Sequence, residues 1–449
     1  MDNERIISFS SETTSNSPSP SSIQRLNRLI KQHYTEKSSK FYRVFPILLP
    51  YIHYTDIPTC ALLNSSYNLL VKDQLWSNPR FDRIAYIHDA LYVFNKFLTH
   101  LPHTQTNTAS RIHQLDLQPI QESLYDRVNP KFLQIIVQHC THLNTLNLEK
   151  AEFFNAKSLP KGPWALPHLT YLNLSFCPHV NDEMVVVIAR ACRQLTRVIL
   201  DGLTKHKGQG LAGLAAECDQ LSSVSVRFNT AIEDQAIIAL AKFRHIRLLE
   251  LDLTGCTKLT SIGFTMLARY AAHLKTLSVA QTSCKLDDIR KFSCIHRFTE
   301  SLDIARLKQI NHEKLAKWIW ESNYQKLRTL VMDATTATAL VKFSQQPHHL
   351  LDTSIREMAN LKLMDLPEHT PMSYLYQLIN LFPRLTHITF VRAYFETDFL
   401  RGMYRTPSPE EESSITDAQL GVFNKSQQQI TAIVVRERED NVDCNLLNW

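Results

Sequence analysis

The chain has 449 residues, of which 44% are hydrophobic and 20% charged, and its formal net charge is +6 at pH 7. This length allows one large domain with accessories or two to three ordinary domains, and the composition is that of a globular protein. Because no uncharged apolar run reaches about 18 residues and no apolar segment follows a basic start, we expect neither a membrane span nor a secretory signal.

The first 40 residues predict two segments outside any domain. Residues 1–22 are rich in Ser and Pro, which predicts disorder. Residues 23–40 begin with SIQRLNRLIKQHY, in which apolar and basic residues recur at helical spacing, and this predicts a short basic helix. Lys and Arg are otherwise scattered along the chain, so we expect no nucleic-acid partner.

Residues 41–81 predict a small all-helical module. Three short apolar segments are separated by TDIP and closed by LW. The later part resembles an F-box, on the residues Asp56, Ile57, Cys60, Leu63, Tyr67, Leu70, Leu75 and Trp76. The Leu-Pro-x-Glu opening of the family is absent, and Tyr67 stands where the family has tryptophan.

An F-box docks a Skp-family adaptor by burying an apolar helical surface. The resemblance therefore implies adaptor contacts by residues among Phe45, Leu48, Leu49, Ile52, Ile57 and Leu63. Some of the six must instead build the small core of the module, and the sequence does not distinguish the two groups. The alternative is a helical cap that shields the open core of the first repeat, which repeat arrays require. Residues 82–111 predict a linker with capping helices, and LWSNPRF is similar to the join between box and repeats in fungal F-box/leucine-rich-repeat proteins.

Residues 112–402 repeat the pattern L-x-x-L-x-L, followed by Asn, Cys or a small residue. The five clearest copies start 26, 26, 27 and 26 residues apart, at Leu169, Leu195, Leu221, Leu248 and Leu274. Looser copies start at Ile112, Leu143, Thr299, Leu327, Met358 and Leu385. The pattern resembles the cysteine-containing class of leucine-rich repeats. It implies an α/β solenoid of about 11 repeats, a horseshoe with a parallel sheet on its concave face and helices on its convex face.

Three of the nine glycines form Gly208-x-Gly210-x-x-Gly213, a spacing also found in dinucleotide-binding loops. Such a loop needs its first glycine directly after the strand, so that the pyrophosphate meets the helix N-terminus. Here seven residues separate Leu200 from Gly208, which favours a strand-to-helix connector within one repeat. A dinucleotide-dependent enzyme stays an alternative, with Arg227 near the place of a ribose-recognising residue.

Residues that alternate with the inward leucines are expected on the concave sheet. The candidate client contacts there are Tyr171, Arg197, Asp201, Arg227, Glu250 and Asp252. Arg197 and Arg227 belong to adjacent strands, about 4.8 Å apart by strand spacing, and would together hold a carboxylate or phosphate of the client. The alternative is that both arginines pair with Asp201, Glu250 or Asp252 across the sheet.

The C-terminal part predicts an acidic Ser/Pro insertion loop over residues 403–429, which contains RTPSPEEESS, and a last strand with a tail over residues 430–449. Nowhere do nucleophile, base and orienting residues stand out from the repeat pattern, so we expect no catalytic residue and no cofactor. The histidines lack metal-ligand spacing, and we expect no metal. Nine cysteines without a CxxC pair indicate reduced thiols, in the cytoplasm or nucleus.

The combination of box and repeats resembles the substrate receptors of SCF-type ubiquitin ligases. It implies a non-catalytic subunit that binds a Skp-family adaptor, and through it the cullin/RING core, while the repeats bind a protein client. The alternative of a repeat scaffold without ligase links stays open at this point.

Overall fold

The computed structural model describes residues 44–45, 47–52, 56–60, 62, 65–81, 90–104, 106–120, 128–129, 131–243, 247–271, 273–295, 299–321, 326–345, 358–365, 372–382, 384–391, 418–425 and 428–435. The chain divides into two compact units, Met1–Asn78 and Pro79–Trp449. The predicted disordered N-terminus and basic helix lie outside the described residues.

The described part of the first unit is a small helical module with a core of its own. A 3₁₀ turn at Leu49–Tyr51 is followed by helices α1 (Ile57–Cys60) and α2 (Ser65–Ser77). A proline lies in the first positions of the turn, where no helical N–H bond is lost. The buried side chains of this core are Phe45, Leu49, Ile57, Tyr67 and Val71.

The second unit alternates strands and helices. Its described helices are α3 (Ala90–His100), α4 (Thr106–Ala109), α5 (Phe132–His139), α6 (Asp182–Ala191), α7 (Gln209–Glu217), α8 (Asp234–Phe243), α9 (Ser261–Tyr270), α10 (Leu286–Ile295), α11 (His312–Glu321), α12 (Ala334–Ser344) and α13 (Met372–Leu381). None of the described helices combines the length and hydropathy that a bilayer crossing requires.

The strands of this unit form one sheet. They are β1 (Gln114–Asp116), β2 (Thr145–Asn147), β3 (Tyr171–Asn173), β4 (Arg197–Ile199), β5 (Ser223–Ser225), β6 (Glu250–Asp252), β7 (Thr276–Ser278), β8 (Ser301–Asp303), β9 (Thr329–Asp333), β10 (Asn360–Met364), β11 (His387–Val391), β12 (Ala418–Lys425) and β13 (Gln428–Val435). The order is β1 to β11, then β13 and β12.

Strands β1 to β11 are all parallel to their neighbours, so the predicted solenoid is confirmed. The second leucine position of the L-x-x-L-x-L pattern is in register with the same position on the next strand. In the five clear repeats this position is buried and is occupied by Leu172, Val198, Val224, Leu251 and Leu277. Burying a side chain of this kind stabilises the fold by about 1.5–3 kcal/mol. The repeat period therefore sets the strand register.

The C-terminal end of the sheet differs from the prediction. Strand β13 pairs in parallel with β11, while β12 pairs antiparallel with β13 as a hairpin. Residues 418–425 were predicted to belong to the insertion loop, and the structure places them in an eight-residue strand instead. The alternation in AQLGVFNK is too weak to signal a strand by itself, and the hairpin partner supplies the hydrogen bonds that define it.

Most strands are followed by a residue whose backbone has a positive φ, the left-handed conformation. This residue lies three positions after the third residue of the strand. The non-glycine members are Lys150, Phe176, Phe228, Gln281, Arg306 and Asp365, and the glycines are Gly202 and Gly255. The N–H of this residue donates to the next turn, as from Phe176 to the carbonyl of Asp201 at 2.7 Å. A Cβ at Gly202 or Gly255 would overlap the ring of Phe176 or Phe228, so glycine is required there.

The cysteine and asparagine positions of the repeat satisfy backbone groups of the preceding turn. The thiols of Cys177 and Cys256 donate to the carbonyls of Leu148 and Val226 at 3.0 and 3.1 Å. Asn229 donates to the carbonyl of Leu200 at 2.7 Å. Burial raises the pKa of these two thiols to about 12, so both stay protonated and act as small packing groups.

Candidate interaction surfaces

The predicted adaptor-binding residues of the first unit differ in burial, and only some of them are exposed. Phe45, Leu49 and Ile57 are only 2%, 4% and 4% exposed, so they are the members of the predicted set that build the core of the module. Ile52 is partly buried against the same core. Leu48 is 44% exposed and available to a partner, and Leu63 lies outside the described residues.

Five exposed apolar side chains of this unit were not singled out from the sequence: Val44, Ile47, Tyr51, Leu62 and Leu69. Together with Leu48 they form what we call the apolar set. The signal was present, since Val44, Ile47, Leu48 and Tyr51 follow the helical spacing i, i+3, i+4, i+7. A second stripe of Phe45, Leu49 and Ile52 occupies the other side of the same segment, and sequence alone does not tell which stripe is core.

In the second unit, we call three positions of each repeat from β1 to β8 the sheet face. They are the first and third residues of the strand and the second residue after its end. The sheet face carries the predicted client contacts. Arg197, Arg227 and Glu250 are exposed, and Tyr171 and Asp252 are half-buried. Asp201 is buried, and its carboxylate accepts hydrogen bonds from the Ser225 hydroxyl at 2.6 Å and the Arg227 N–H at 2.9 Å. Asp201 therefore links β4 to the end of β5, and this internal role argues against a contact with the client.

Both arginines of the sheet face lie beside carboxylates, as the alternative interpretation predicted. Arg197 is 3.9 Å from Glu250 and Arg227 is 3.7 Å from Asp252. Exposed pairs of this length contribute about 0–1 kcal/mol each. They neutralise charge on the face without fixing the guanidinium groups.

The register corrects the predicted spacing of the two arginines. Arg197 is paired with Ser223, so Arg227 lies four residues further along the strand direction. At roughly 3.3 Å per extended residue this separates the two backbones by about 13 Å, not by the strand spacing alone. The two arginines are therefore not register partners on neighbouring strands.

A hydrogen-bonded chain of polar side chains crosses the sheet face from β6 to β8. Asp252 accepts from the Thr254 N–H and hydroxyl at 2.9 and 2.6 Å, and the Thr254 and Ser278 hydroxyls lie 2.7 Å apart. Asp303 accepts from the Ala305 N–H at 3.1 Å. Burial raises the pKa of the Asp303 carboxyl to about 6, while the hydrogen bonds from Ala305 and Ser278 oppose the shift.

The glycine-rich connector before α7 is already filled by a side chain of the preceding repeat. The carboxylate of Asp182 accepts hydrogen bonds from the N–H groups of Lys207, Gly208 and Gly210, at 2.7, 3.1 and 2.7 Å. These donors are the kind that a dinucleotide-binding loop offers to a pyrophosphate. Gly210 has a second role, because a Cβ there would meet the buried ring of His206 and the side chain of Val185. The connector serves packing between repeats.

The described residues contain no group of three His, Cys, Asp or Glu side chains placed to hold a metal ion. The rings of His142 and His168 stack with their centres 5.3 Å apart. The Nδ1 of His142 lies 3.1 Å from the carbonyl of Ser110, which ties the ring to the backbone.

A protein-family model described as Leucine Rich repeat matches residues 165–189. Three solved structures are similar at low identity. A chain of the yeast Rad7 and Elc1 complex is 16% identical, with 90% of this chain and 100% of that chain covered and a TM-score of 0.49. A chain of the TLR13–ssRNA13 complex is 13% identical, with coverages of 65% and 44% and a TM-score of 0.39. The leucine-rich repeat-containing protein LegL7 from Legionella pneumophila is 15% identical, with coverages of 63% and 92% and a TM-score of 0.39.

The strand register, the leucine-lined core and the family match define a leucine-rich-repeat solenoid. Solenoids of this kind present extended surfaces to partners and are typically non-catalytic. The chain therefore has the fold of a leucine-rich-repeat solenoid, an architecture that offers an extended surface to protein partners.

Proposed function

We propose that this chain is the substrate-recognition subunit of an SCF-type E3 ubiquitin ligase. The helical module of the first unit binds a Skp-family adaptor, which links it to the cullin and RING subunits. The sheet face of the solenoid binds the protein client. The resemblance of residues 56–76 to an F-box, followed in sequence by the repeats, motivates this assignment.

The apolar set of the first unit is the observation that carries the proposal. Of the eleven large apolar side chains that are exposed among the described residues, six belong to this set. Ile47 and Tyr51 are 66% and 85% exposed. A small module that leaves so much apolar surface in water is expected to bury it against a partner. A helical adaptor surface of complementary shape supplies that partner.

The chemistry in this proposal belongs to other subunits. The chain raises the local concentration of the client beside the conjugating enzyme and limits its orientation, which accelerates transfer without a catalytic side chain. It follows that loss of either surface abolishes client modification while the other surface still binds.

Substitution within the apolar set tests adaptor binding. We expect Ile47→Asp/Tyr51→Asp to recover at least about tenfold less adaptor than the wild type, because two charges would be buried in the interface. The measurement is co-purification of the full chain with a co-expressed Skp-family adaptor. The matched control is Ile262→Asp/Tyr92→Asp, which introduces the same changes at exposed positions of α9 and α3.

The control variant is expected to recover adaptor as the wild type does, with thermal unfolding measured for all three proteins. No adaptor with the wild-type chain would remove the ligase assignment and favour a scaffold without ligase links. Equal loss in both double variants would show that the apolar set is not a specific interface.

A further inference from the structure

The sheet face carries an excess of negative charge, although the whole chain has a formal net charge of +6. Its two basic side chains, Arg197 and Arg227, both lie beside carboxylates of the same face. Its six carboxylates belong to Asp116, Glu149, Asp201, Glu250, Asp252 and Asp303. Because negative charge collects on this one surface, the face attracts cationic partners and repels anionic ones.

The two signs of charge are distributed unevenly along the face. Both arginines belong to the repeats of β4 and β5, whereas the face positions of β1, β2 and β3 include Asp116 and Glu149 but no Lys, Arg or His. Within the part of the chain that the structure describes, neither of these two carboxylates is ion-paired with a basic side chain. The β1–β3 end of the face therefore holds carboxylates whose charge no cation neutralises.

Amide groups orient these two carboxylates and leave their charge available. Oδ1 of Asp116 accepts hydrogen bonds from the Asn147 side-chain amide at 2.9 Å and the Gln118 N–H at 3.1 Å. Oε2 of Glu149 accepts from the Asn173 side-chain amide at 3.3 Å. The second oxygen of each carboxylate has no hydrogen-bond donor among the described residues. Asp116 is exposed and Glu149 half-buried, so both can meet a partner.

Tyr171 supplies an aromatic ring at the same end of the face. It is half-buried, and its hydroxyl has no hydrogen-bond partner within the described residues. Burial raises the pKa of this hydroxyl, Arg197 opposes the shift, and Glu149 and Asp116 add to it, so both carboxylates lie within electrostatic range of the ring. The Arg197 guanidinium lies 3.9 Å from Glu250 on β6, on the side away from β3.

We propose that Asp116, Glu149 and Tyr171 form a docking surface for a basic segment of a protein client, which rests on the proposed client role of the sheet face. A Lys or Arg side chain of the segment donates to the carboxylate oxygens that lack a donor. Its cationic group also lies against the Tyr171 ring, whose face is electron-rich. An acidic segment is disfavoured, because its charges would lie beside the carboxylates of the face.

Binding of defined peptides to the full chain tests this docking surface. The probes are fluorescein-labelled Gly/Ser peptides that carry repeated Arg, repeated Lys or repeated Glu residues. Fluorescence anisotropy measures their affinity for the wild type, for Asp116→Asn/Glu149→Gln and for the control Asp287→Asn/Glu313→Gln. The control changes the net charge equally, at exposed positions of α10 and α11. Asn and Gln keep an acceptor oxygen for the amide donors, so the fold is preserved in the test variant.

We expect the Arg and Lys peptides to bind and the Glu peptide not to bind. Asp116→Asn/Glu149→Gln should weaken binding of the basic peptides at least about fivefold, and the control should change it less than about twofold. Higher ionic strength should weaken binding to the wild type, because the contacts are electrostatic. Comparison of the two basic peptides distinguishes a guanidinium from an ammonium as the group recognised.

Substitution of Tyr171 tests the contribution of the ring separately. Tyr171→Phe keeps the aromatic face and should retain the affinity of the wild type for the Arg peptide, whereas Tyr171→Leu should weaken it at least about twofold. Equal affinity of Tyr171→Leu and the wild type would remove the ring from the docking surface.

Three results would overturn the docking surface: no binding of either basic peptide, equal loss in the control variant, or tighter binding of the Glu peptide than of both basic peptides. The adaptor co-purification separates this outcome from the ligase assignment. Adaptor recovery with a failed peptide experiment leaves the ligase role and removes the docking surface. Peptide binding without adaptor recovery leaves the docking surface on a scaffold of another kind.

Discussion

The carboxylates of the sheet face differ in whether their ionisation stabilises or destabilises the folded state. Asp201, Asp252 and Asp303 all accept hydrogen bonds from neighbouring turns, yet burial raises the pKa of Asp303 from its ordinary value of 3.8 to about 6. Because the folded state holds this proton more tightly than the unfolded state, ionisation of Asp303 destabilises the fold. The penalty is absent below pH 3.8, grows up to pH 6 and is complete above it.

Asp303→Asn removes this penalty while it keeps an acceptor for the Ala305 N–H. We expect the variant to be more stable than the wild type at pH 7.5, by on the order of 1–3 kcal/mol, with the difference vanishing near pH 4. Urea unfolding across this pH range measures it. Asp287→Asn, which alters an exposed carboxylate on α10, serves as control and should show no comparable crossover. A wild type more stable than Asp303→Asn at pH 7.5 would contradict the expected sign.

At the scale of single elements, one helix depends on a side chain of the helix before it. The first turn of α7 has no capping side chain of its own, and Gly208 at its N-cap is left-handed, with φ of 110°. Asp182, the first residue of α6, accepts the three N–H groups that this end would otherwise leave unpaired. Contact between consecutive repeats, not local sequence, thus begins this helix.

We expect Asp182→Ala to destabilise the protein by about 1–3 kcal/mol, since three backbone donors lose their acceptor in a partly exposed site. Glu183→Ala, one residue later in the same helix and exposed, should cost less than about 0.5 kcal/mol. The measurements are urea unfolding and hydrogen exchange at the amides of 207–210. Unchanged exchange at these amides in Asp182→Ala would show that water replaces the carboxylate without cost.

For the molecule as a whole, the solenoid gives each strand only two sheet neighbours. The buried residues Val224, Leu251 and Leu277 are in register on consecutive strands, so the core contacts pass from each strand to the next. Stability in such an array is close to a sum of repeat and interface contributions. Damage to one repeat should therefore remain close to it under native conditions.

Leu251→Ala tests this expectation, with an expected loss of about 2–5 kcal/mol from the cavity. Native-state hydrogen exchange should accelerate most at β5 to β7 and least at β1 and β11. Leu361→Ala on β10 makes the same change elsewhere and should move the region of fast exchange toward β9 to β11. Uniform acceleration along the sheet in both variants would mean that the solenoid opens as one unit.

The sequence by itself determined the solenoid and the strand register. Every predicted copy from Ile112 to Leu385 begins two residues before a strand, because burial of leucines at a near-constant period leaves one way to stack the repeats. The same pattern placed Arg197, Arg227 and Glu250 on an exposed face, since side chains alternate along a strand.

Only the tertiary structure decided how residues about one repeat apart share their polar groups. Asp201 is buried and accepts a hydrogen bond from Ser225, and Asp182 accepts the N–H groups of the glycine-rich connector. In the first unit, Phe45 and Leu49 lie in the core, whereas Ile47 and Tyr51 are exposed. Local pattern shows that a side chain is apolar or charged, but not which neighbour it meets. That choice depends on packing between segments far apart in sequence, which periodicity alone does not encode.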